Sequence, residues 1–334
     1  MHKQDLMPIL KGLATYIPGL RRALGRRHIS GEPISARRCY SICLHHLALI
    51  DETCGCGVPA RIAELGPGDT LGTGLATLIS GGAQYTGIDV LPFARNEKTL
   101  RLLSELVPLF RDRCAPAPHL WLDCGHLFDE KAFPKVVNTE VLRHNTTDAF
   151  VEGLARETGA VLSGGKGQRL RYLVSPAMDD AIVANSLDFA FSHSVLEHVT
   201  DLSGLMRTLY AGLKPGGLMS HQYDLSSHNI VAAWDGHRRF NAARWTLVVG
   251  NRAFMINRLS HSEIVRTIEE AGFCILRTFV KKRPPTVPRS ELGDCWKGQP
   301  DSDLEIERAL VQAVKPDGTE NGHDHIRSTM QNLT

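Results

Sequence analysis

The chain has 334 residues, 43% of them hydrophobic, and a net charge of +2. Enough apolar content for a core excludes a disordered chain, and the near-neutral balance excludes a global field for nucleic acid. No apolar run approaches the roughly 18 residues of a spanning helix, and with no h-region and small-residue cleavage site visible no secretory leader is expected.

The eight cysteines form no C-x-x-C pair of zinc spacing. A chain of this size does not need disulfide staples. Reduced thiols and a cytoplasmic location are expected.

In "QDLMPILKGLATYIPGLRRALGRRH", Leu6, Leu10, Leu13, Ile17, Leu20 and Leu24 recur at helical spacing. Pro8 and Pro18 are expected to break the segment into two short helices. Lys11, Arg21, Arg22, Arg26 and Arg27 make it basic. That fits either a helix packed on its own domain with a solvated basic face, or peripheral contact with an anionic membrane. A second helix is predicted over "SARRCYSICLHHLALIDE", capped by Ser35. Residues 1–54 therefore read as an N-terminal helical cap.

From "ARIAEL" onward, strands and helices alternate. "AQYTGIDV", "RLRYLVSP", "SLDFAFSHS", "GLMSHQYDL", "CILRTFVKK" and "ERALVQAVKP" read as further strands. "LGTGLATLIS", "RNEKTLRLLSELVPLF", "DLSGLMRTLYAGL" and "HSEIVRTIEEAGF" read as helices. Such alternation predicts a mostly parallel sheet with helices on both faces. Two excursions interrupt it in a domain spanning 55–316. Residues 111–168 exceed an ordinary connection and carry a predicted helix, "TTDAFVEGLARETG". Residues 225–260 hold Trp234, Phe240, Trp245 and Phe254, which read as local core or as stacking surfaces for a ring. Residues 317–334 are polar and read as a disordered tail.

In a doubly wound sheet, ligands sit at the carboxyl ends of the strands. The first such turn is "AELGPGD". A phosphate loop needs G-x-x-x-x-G-K-[ST] and a dinucleotide turn G-x-G-x-x-G. Here no lysine follows, and Leu71 takes the sixth position of the second pattern. Glu64 and Asp69 flank the glycines and are expected to repel a pyrophosphate. A cationic cofactor without phosphate, such as S-adenosylmethionine, suits the turn better. Asp89, about 20 residues on, is placed to accept from ribose hydroxyls.

Four motifs in order, "AELGPGD", "YTGIDV", "SPAMDDAIVANSLDFAFSHSVLEHV" and "LYAGLKPGGLMSHQYDL", make the chain resemble class I S-adenosylmethionine-dependent methyltransferases. The resemblance runs over about residues 35–316. It implies an α/β three-layer sandwich with seven strands, the last antiparallel. It also implies that Gly66, Pro67 and Gly68 pass beneath the methionine moiety, Glu64 holds its ammonium, Asp89 takes the ribose and Val90 lies against the adenine. Ala177 and Met178 fall in the adenine loop. Pro176 stands where the family has an acid for the adenine amino group, and Asp179 or Asp180 is the candidate to reach it instead. Ser192 and His193 are expected on the sulfonium side. Tyr40 reads either as a lid over the cofactor or as a core aromatic.

Methyl transfer needs an acceptor in line with the sulfonium, and a hydroxyl acceptor must also lose its proton. His193, His198 and His221 end strands at the right edge and are the candidate bases. A local structural role for Glu197 and His198 is the alternative. Some O-methyltransferases of the superfamily bind a divalent cation at E-x-x-E-H. Here Ser194 fills the first position, and Glu197, His198 and His221 make only three ligands. No metal is expected. The polar run His221 to His228 suits a hydroxylated acceptor.

The expected activity is O-methylation of a small-molecule or glycan-type acceptor in a biosynthetic pathway, with no nucleic-acid partner. The alternatives are N- or C-methylation of a natural product, a non-catalytic cofactor-binding protein, and a nicotinamide oxidoreductase disfavoured by Glu64 and Leu71.

Overall fold

The computed structural model describes residues 3–17, 34–117, 132–175 and 182–317. Elements follow in chain order: α1 (Lys3–Ala14), α2 (Ala36–Cys54), β1 (Arg61–Leu65), α3 (Gly72–Ile79), β2 (Gln84–Asp89), α4 (Asn96–Arg111), α5 (Thr139–Asn145), α6 (Asp148–Leu162) and β3 (Leu170–Val174). Then come β4 (Leu187–His193), α7 (Leu202–Gly212), β5 (Leu213–Asp224), α8 (Ala242–Val249), α9 (His261–Glu270), β6 (Cys274–Lys282), the short α10 (Asp294–Lys297) and α11 (Asp301–Leu304), and β7 (Ile306–Val314).

The seven strands lie in the order β3-β2-β1-β4-β5-β7-β6. β7 runs antiparallel to both β5 and β6, while β1, β2, β3, β4 and β5 pair in parallel. This is the expected sheet, reversed last strand included. Side chains alternate across it. Ile62, Tyr85, Phe189, Phe191 and Leu218 face a cluster built with α2, α3 and α4. Ala63, Ile88, Ala190, Met219 and Val311 face the opposite cluster, with α7 and α9. Three layers result, with strand carboxyl ends gathered along one edge.

The N-terminal cap is two different things. α2 begins at a Ser35 cap, whose side chain accepts from Arg38 N, and ends at Gly55 in the left-handed region. Its Tyr40, Leu44, Leu47 and Ile50 belong to the main core. α1 packs instead on α8. Pro8 lies inside α1 and does not end it, which corrects the expected break; proline there forfeits one backbone bond. Ile9 joins Phe240 and Val248 in a small separate cluster. Gly12 sits so close to α8 that an added Cβ would lie 1.9 Å from the Leu247 carbonyl. The second proline, Pro18, and Leu20 and Leu24 lie outside the described residues, as does the tail beyond residue 317.

The 111–168 excursion contains the expected helix as α6 and also α5, which periodicity did not reveal. Asn138 caps α5 by accepting from Glu140 N and Val141 N. Trp234 is buried, its Nε1 donating to the Pro284 carbonyl, and Arg258 lies 4.7 Å over the Trp245 ring. Trp245 packs within its own excursion, while Trp234 ties the excursion to the segment after β6.

Candidate active site

Gly66 and Gly68 have φ of +63° and +74°, a region that glycine enters at little cost. At Gly66 the approaching group is Val195: an added Cβ would lie 2.7 Å from its Cγ2. Around Gly68 nothing is nearer than Ile34 at 3.9 Å, so there the demand is conformational. Gly68 N donates to Asp89 Oδ2 at 3.1 Å. The Tyr172 hydroxyl donates to the same oxygen at 3.4 Å. Burial lifts the Asp89 carboxyl to about 7, with the Gly68 and Tyr172 bonds pulling the other way. The half-buried Val90 follows it at the edge of the second core cluster.

Glu64 projects beneath the turn toward α3. Tyr85 donates its hydroxyl to Glu64 Oε2 at 2.5 Å. Burial pushes Glu64 up to about 8, against the lowering effect of that bond. Asp69 is ion-paired with Lys98. The expected repulsion of a pyrophosphate by two carboxylates is therefore weaker than the sequence implies: one is largely protonated near neutrality and the other is neutralised. A different feature rejects phosphate. Helix N-termini bind phosphate through free N–H groups, but Leu71 N donates to Thr99 Oγ1 at 3.3 Å and Gly72 N to Thr70 Oγ1 at 2.8 Å. With two donors at the α3 N-terminus already engaged and, among the described residues, no cation lining the turn but the paired Lys98, the site fits a nucleoside lacking phosphate better than a pyrophosphate.

Tyr85 is held by two glycines. A Cβ on Gly74 would lie 2.1 Å from its ring, and one on Gly87 3.0 Å from its hydroxyl. Gly74→Ala is expected to destabilise the fold by about 1–3 kcal/mol through overpacking and to weaken cofactor binding by displacing Tyr85 from Glu64. Chemical denaturation combined with calorimetric cofactor titration checks both. An unchanged midpoint and affinity would remove Tyr85 from the support of Glu64.

The strand-end histidines part company. His221 is fully buried and its Nδ1 is 2.8 Å from Ser192 Oγ. Both belong to the layer under α7 and α9, so neither His221 as base nor the Ser192 side chain as cofactor contact keeps its expected place. His193 faces the α2 layer, where its Nε2 lies 3.3 Å from Gln222 Nε2 and its ring 6.4 Å from that of His46. Burial brings His193 and His221 each down to about 3, and both rings are turned into the core layers on either face of the sheet. Tyr40 is fully buried, donates to the Cys114 carbonyl and meets Phe110 edge-on at 4.8 Å. It is a core aromatic, not a lid. Pro176, Ala177, Met178, Asp179 and Asp180 lie outside the described residues.

His198 is different. It ends a 3-10 turn after β4, its Nδ1 is buried without a partner, and its ring donates to the Phe254 backbone. That leaves the Nδ1 lone pair free. The His228 ring lies 5.0 Å away. His228 Nε2 is 3.9 Å from Glu197 Oε1 and 3.8 Å from Asp224 Oδ1. Asp224 in turn accepts from Arg308 Nε at 3.1 Å. His228 and the following Asn229 both have positive φ, 47° and 59°, a strain that clusters at functional sites. Glu197, His198 and His228 bring ligand-type atoms within 4.8 Å of one another. His228 thus takes the position that the sequence offered to His221. Tyr85, Tyr172 and the Thr70–Thr99 hydroxyl pair were not singled out from sequence. The positive φ at His228 has no sequence signal beyond the neighbouring asparagine.

The family described as "Methyltransferase domain" matches residues 48–278. A curated relative, Phosphoethanolamine N-methyltransferase 2 of Caenorhabditis elegans, is 24% identical over 113 residues, which is 34% of this chain and 23% of that enzyme. The chain thus spans about a quarter of that relative's length. Among solved structures, an S-adenosylmethionine-dependent methyltransferase of Methanosarcina mazei is 16% identical, with a TM-score of 0.40 over 76% of this chain and 92% of that one. Phosphoethanolamine N-methyltransferase 2 of Haemonchus contortus, solved with S-adenosyl-L-methionine, is 14% identical, with a TM-score of 0.42 over 90% and 60%. At such scores neither structure bears on the acceptor. The seven-stranded sheet, the glycine turn and the match over residues 48–278 lead to one conclusion: the chain belongs to the S-adenosylmethionine-dependent methyltransferases.

Proposed function

We propose that this methyltransferase moves its methyl group to an oxygen of a small-molecule or glycan-type acceptor in a cytoplasmic biosynthetic pathway, with His198 as the proton acceptor. S-adenosylmethionine supplies an electrophilic methyl on a cationic sulfur. The chain's own part is to seat it and to take a proton. Asp89 takes the ribose hydroxyls, Glu64 faces the ammonium, and the Gly66–Gly68 turn gives the methionine a surface without side chains. Val90 lies against the adenine. The observation that carries the reading is the clustering of His198 with His228 and Glu197 on the turn after β4; His221 Nε2 is also without a partner but lies within the core. A neutral imidazole there would accept the hydroxyl proton as the carbon–oxygen bond forms and the sulfur–methyl bond breaks, with S-adenosylhomocysteine leaving. The seven described cysteines are free, which supports a reducing compartment.

A second reading, N-methylation, is favoured by the stretch shared with the Caenorhabditis elegans enzyme. Incubation with methyl-labelled cofactor and matched hydroxylated and amino acceptors separates the two. Methyl ethers pass a cation exchanger; methylated amines stay on it. Label in the neutral fraction is the expected result. Label in an acceptor-dependent retained species, resolved from unreacted cofactor, gives the N-methyl reading, and tight cofactor binding without transfer to any acceptor gives a non-catalytic protein.

A further inference from the structure

α1 is amphipathic the wrong way round for a helix that serves only its own domain. The side it turns to α8 carries Asp5, Pro8, Ile9, Gly12 and Thr15, all buried. The side it turns outward carries Leu6, Met7, Leu10 and Leu13, 41–57% exposed, followed by Tyr16 and Ile17 at 55%. These six are half of the twelve exposed large apolar side chains among the described residues. The orientation is fixed by close backbone contact. Besides the Gly12 approach to Leu247, a Cβ on Gly250 would lie 2.3 Å from the Gly12 carbonyl, and Asn251 N donates to Thr15 Oγ1 at 2.8 Å. Rotating α1 to bury its leucines would break that fit. Leu247 of α8, 40% exposed, extends the apolar strip.

We propose that this outer face of α1 docks on an anionic lipid surface. Charge selects the occupant. Residues 1–30 carry six lysines and arginines and a single acid, Asp5, which points inward and is buried. Lys11 on α1 and Arg244 on α8 are exposed beside the leucines. An apolar ridge flanked by cations is the form that settles into the headgroup boundary of an anionic bilayer. A second copy fits less well. A 12-residue helix is about 18 Å long and offers a face of roughly 200 Å², against the roughly 800 Å² per partner of a stable interface. Self-association would also bring the same cations together. No helix among the described residues is long and apolar enough to cross a membrane, so the contact is peripheral.

The test sediments the full chain with vesicles of phosphatidylcholine containing phosphatidylserine, and with phosphatidylcholine alone. The chain is expected to pellet with the anionic vesicles, to be released by salt, and to bind neutral ones poorly. Leu10→Glu with Leu13→Glu, two exposed positions, is expected to weaken binding about a hundredfold or more with circular dichroism unchanged. Three results overturn the proposal. One is a parent chain that stays in the supernatant with anionic vesicles. Another is binding abolished by glutamine at Arg21, Arg22, Arg26 and Arg27 yet untouched by the leucine variant, which places it in the cationic segment alone. The third is a dimer that the leucine variant dissociates while the parent ignores vesicles.

Discussion

His198→Ala is expected to lower turnover by about 10²–10⁴-fold, the range for loss of a positioned general base, while leaving cofactor affinity within about twofold. The residue ends the 3-10 turn after β4. Burial, with help from His228, lowers His198 to about 4 against the raising effect of the Phe254 backbone. The ring is therefore neutral over the physiological range, and the rate should show no histidine titration between about pH 5 and 8. His198→Gln preserves a donor for the Phe254 carbonyl and separates packing from proton transfer. If the glutamine variant is as slow as the alanine one and both bind cofactor normally, the base role stands. Parent-like turnover in both would leave alignment alone to explain the chemistry. His221→Ala and His193→Ala serve as comparisons, and their cost is expected in stability.

Asp89→Ala is expected to weaken S-adenosylhomocysteine binding by about 1–3 kcal/mol, read by calorimetry. That is roughly a five- to 150-fold change. The pH dependence carries a sign. Ribose hydroxyls donate to the charged carboxylate, and the free protein holds Asp89 protonated below about 7 because the group is buried. Affinity should therefore rise with pH through about 7, by at most tenfold per pH unit below that point. Glu64, held up to about 8 by burial, adds a second rise if it faces the ammonium. Asp89→Asn should remove the lower rise and keep the upper one. Proton release on binding, measured at pH 7 in buffers of different ionisation enthalpy, is the matching observation. A flat profile in the parent chain would detach both acids from the cofactor.

The glycine turn, the carboxylate that ends β2 and the seven strands were legible because their signals are local. A strand shows as period-two or continuous apolar residues, and a tight turn as glycine next to proline. The histidines were not legible because their fate depends on pairing. The register sets Ser192 opposite His221 and His193 opposite Gln222, and alternation then sends the two pairs to opposite faces. No spacing count reveals which pair faces the cleft. His228 reaches Glu197 and His198 only through two left-handed residues. α1 failed for a related reason. Its leucine stripe was visible, but the side that packs is chosen by a glycine pressed against a carbonyl, and apolar periodicity does not register that.

Val195 rests on Gly66, with a side chain where a glycine Cβ would otherwise be, and it stands two residues before Glu197 and three before His198. The glycine bend and the turn that carries His198 therefore meet at one side chain. With the nucleoside on the bend and the acceptor at His198, as proposed, the two substrates are expected to influence each other's affinity through Val195, and by thermodynamic reciprocity the factor is the same in both directions.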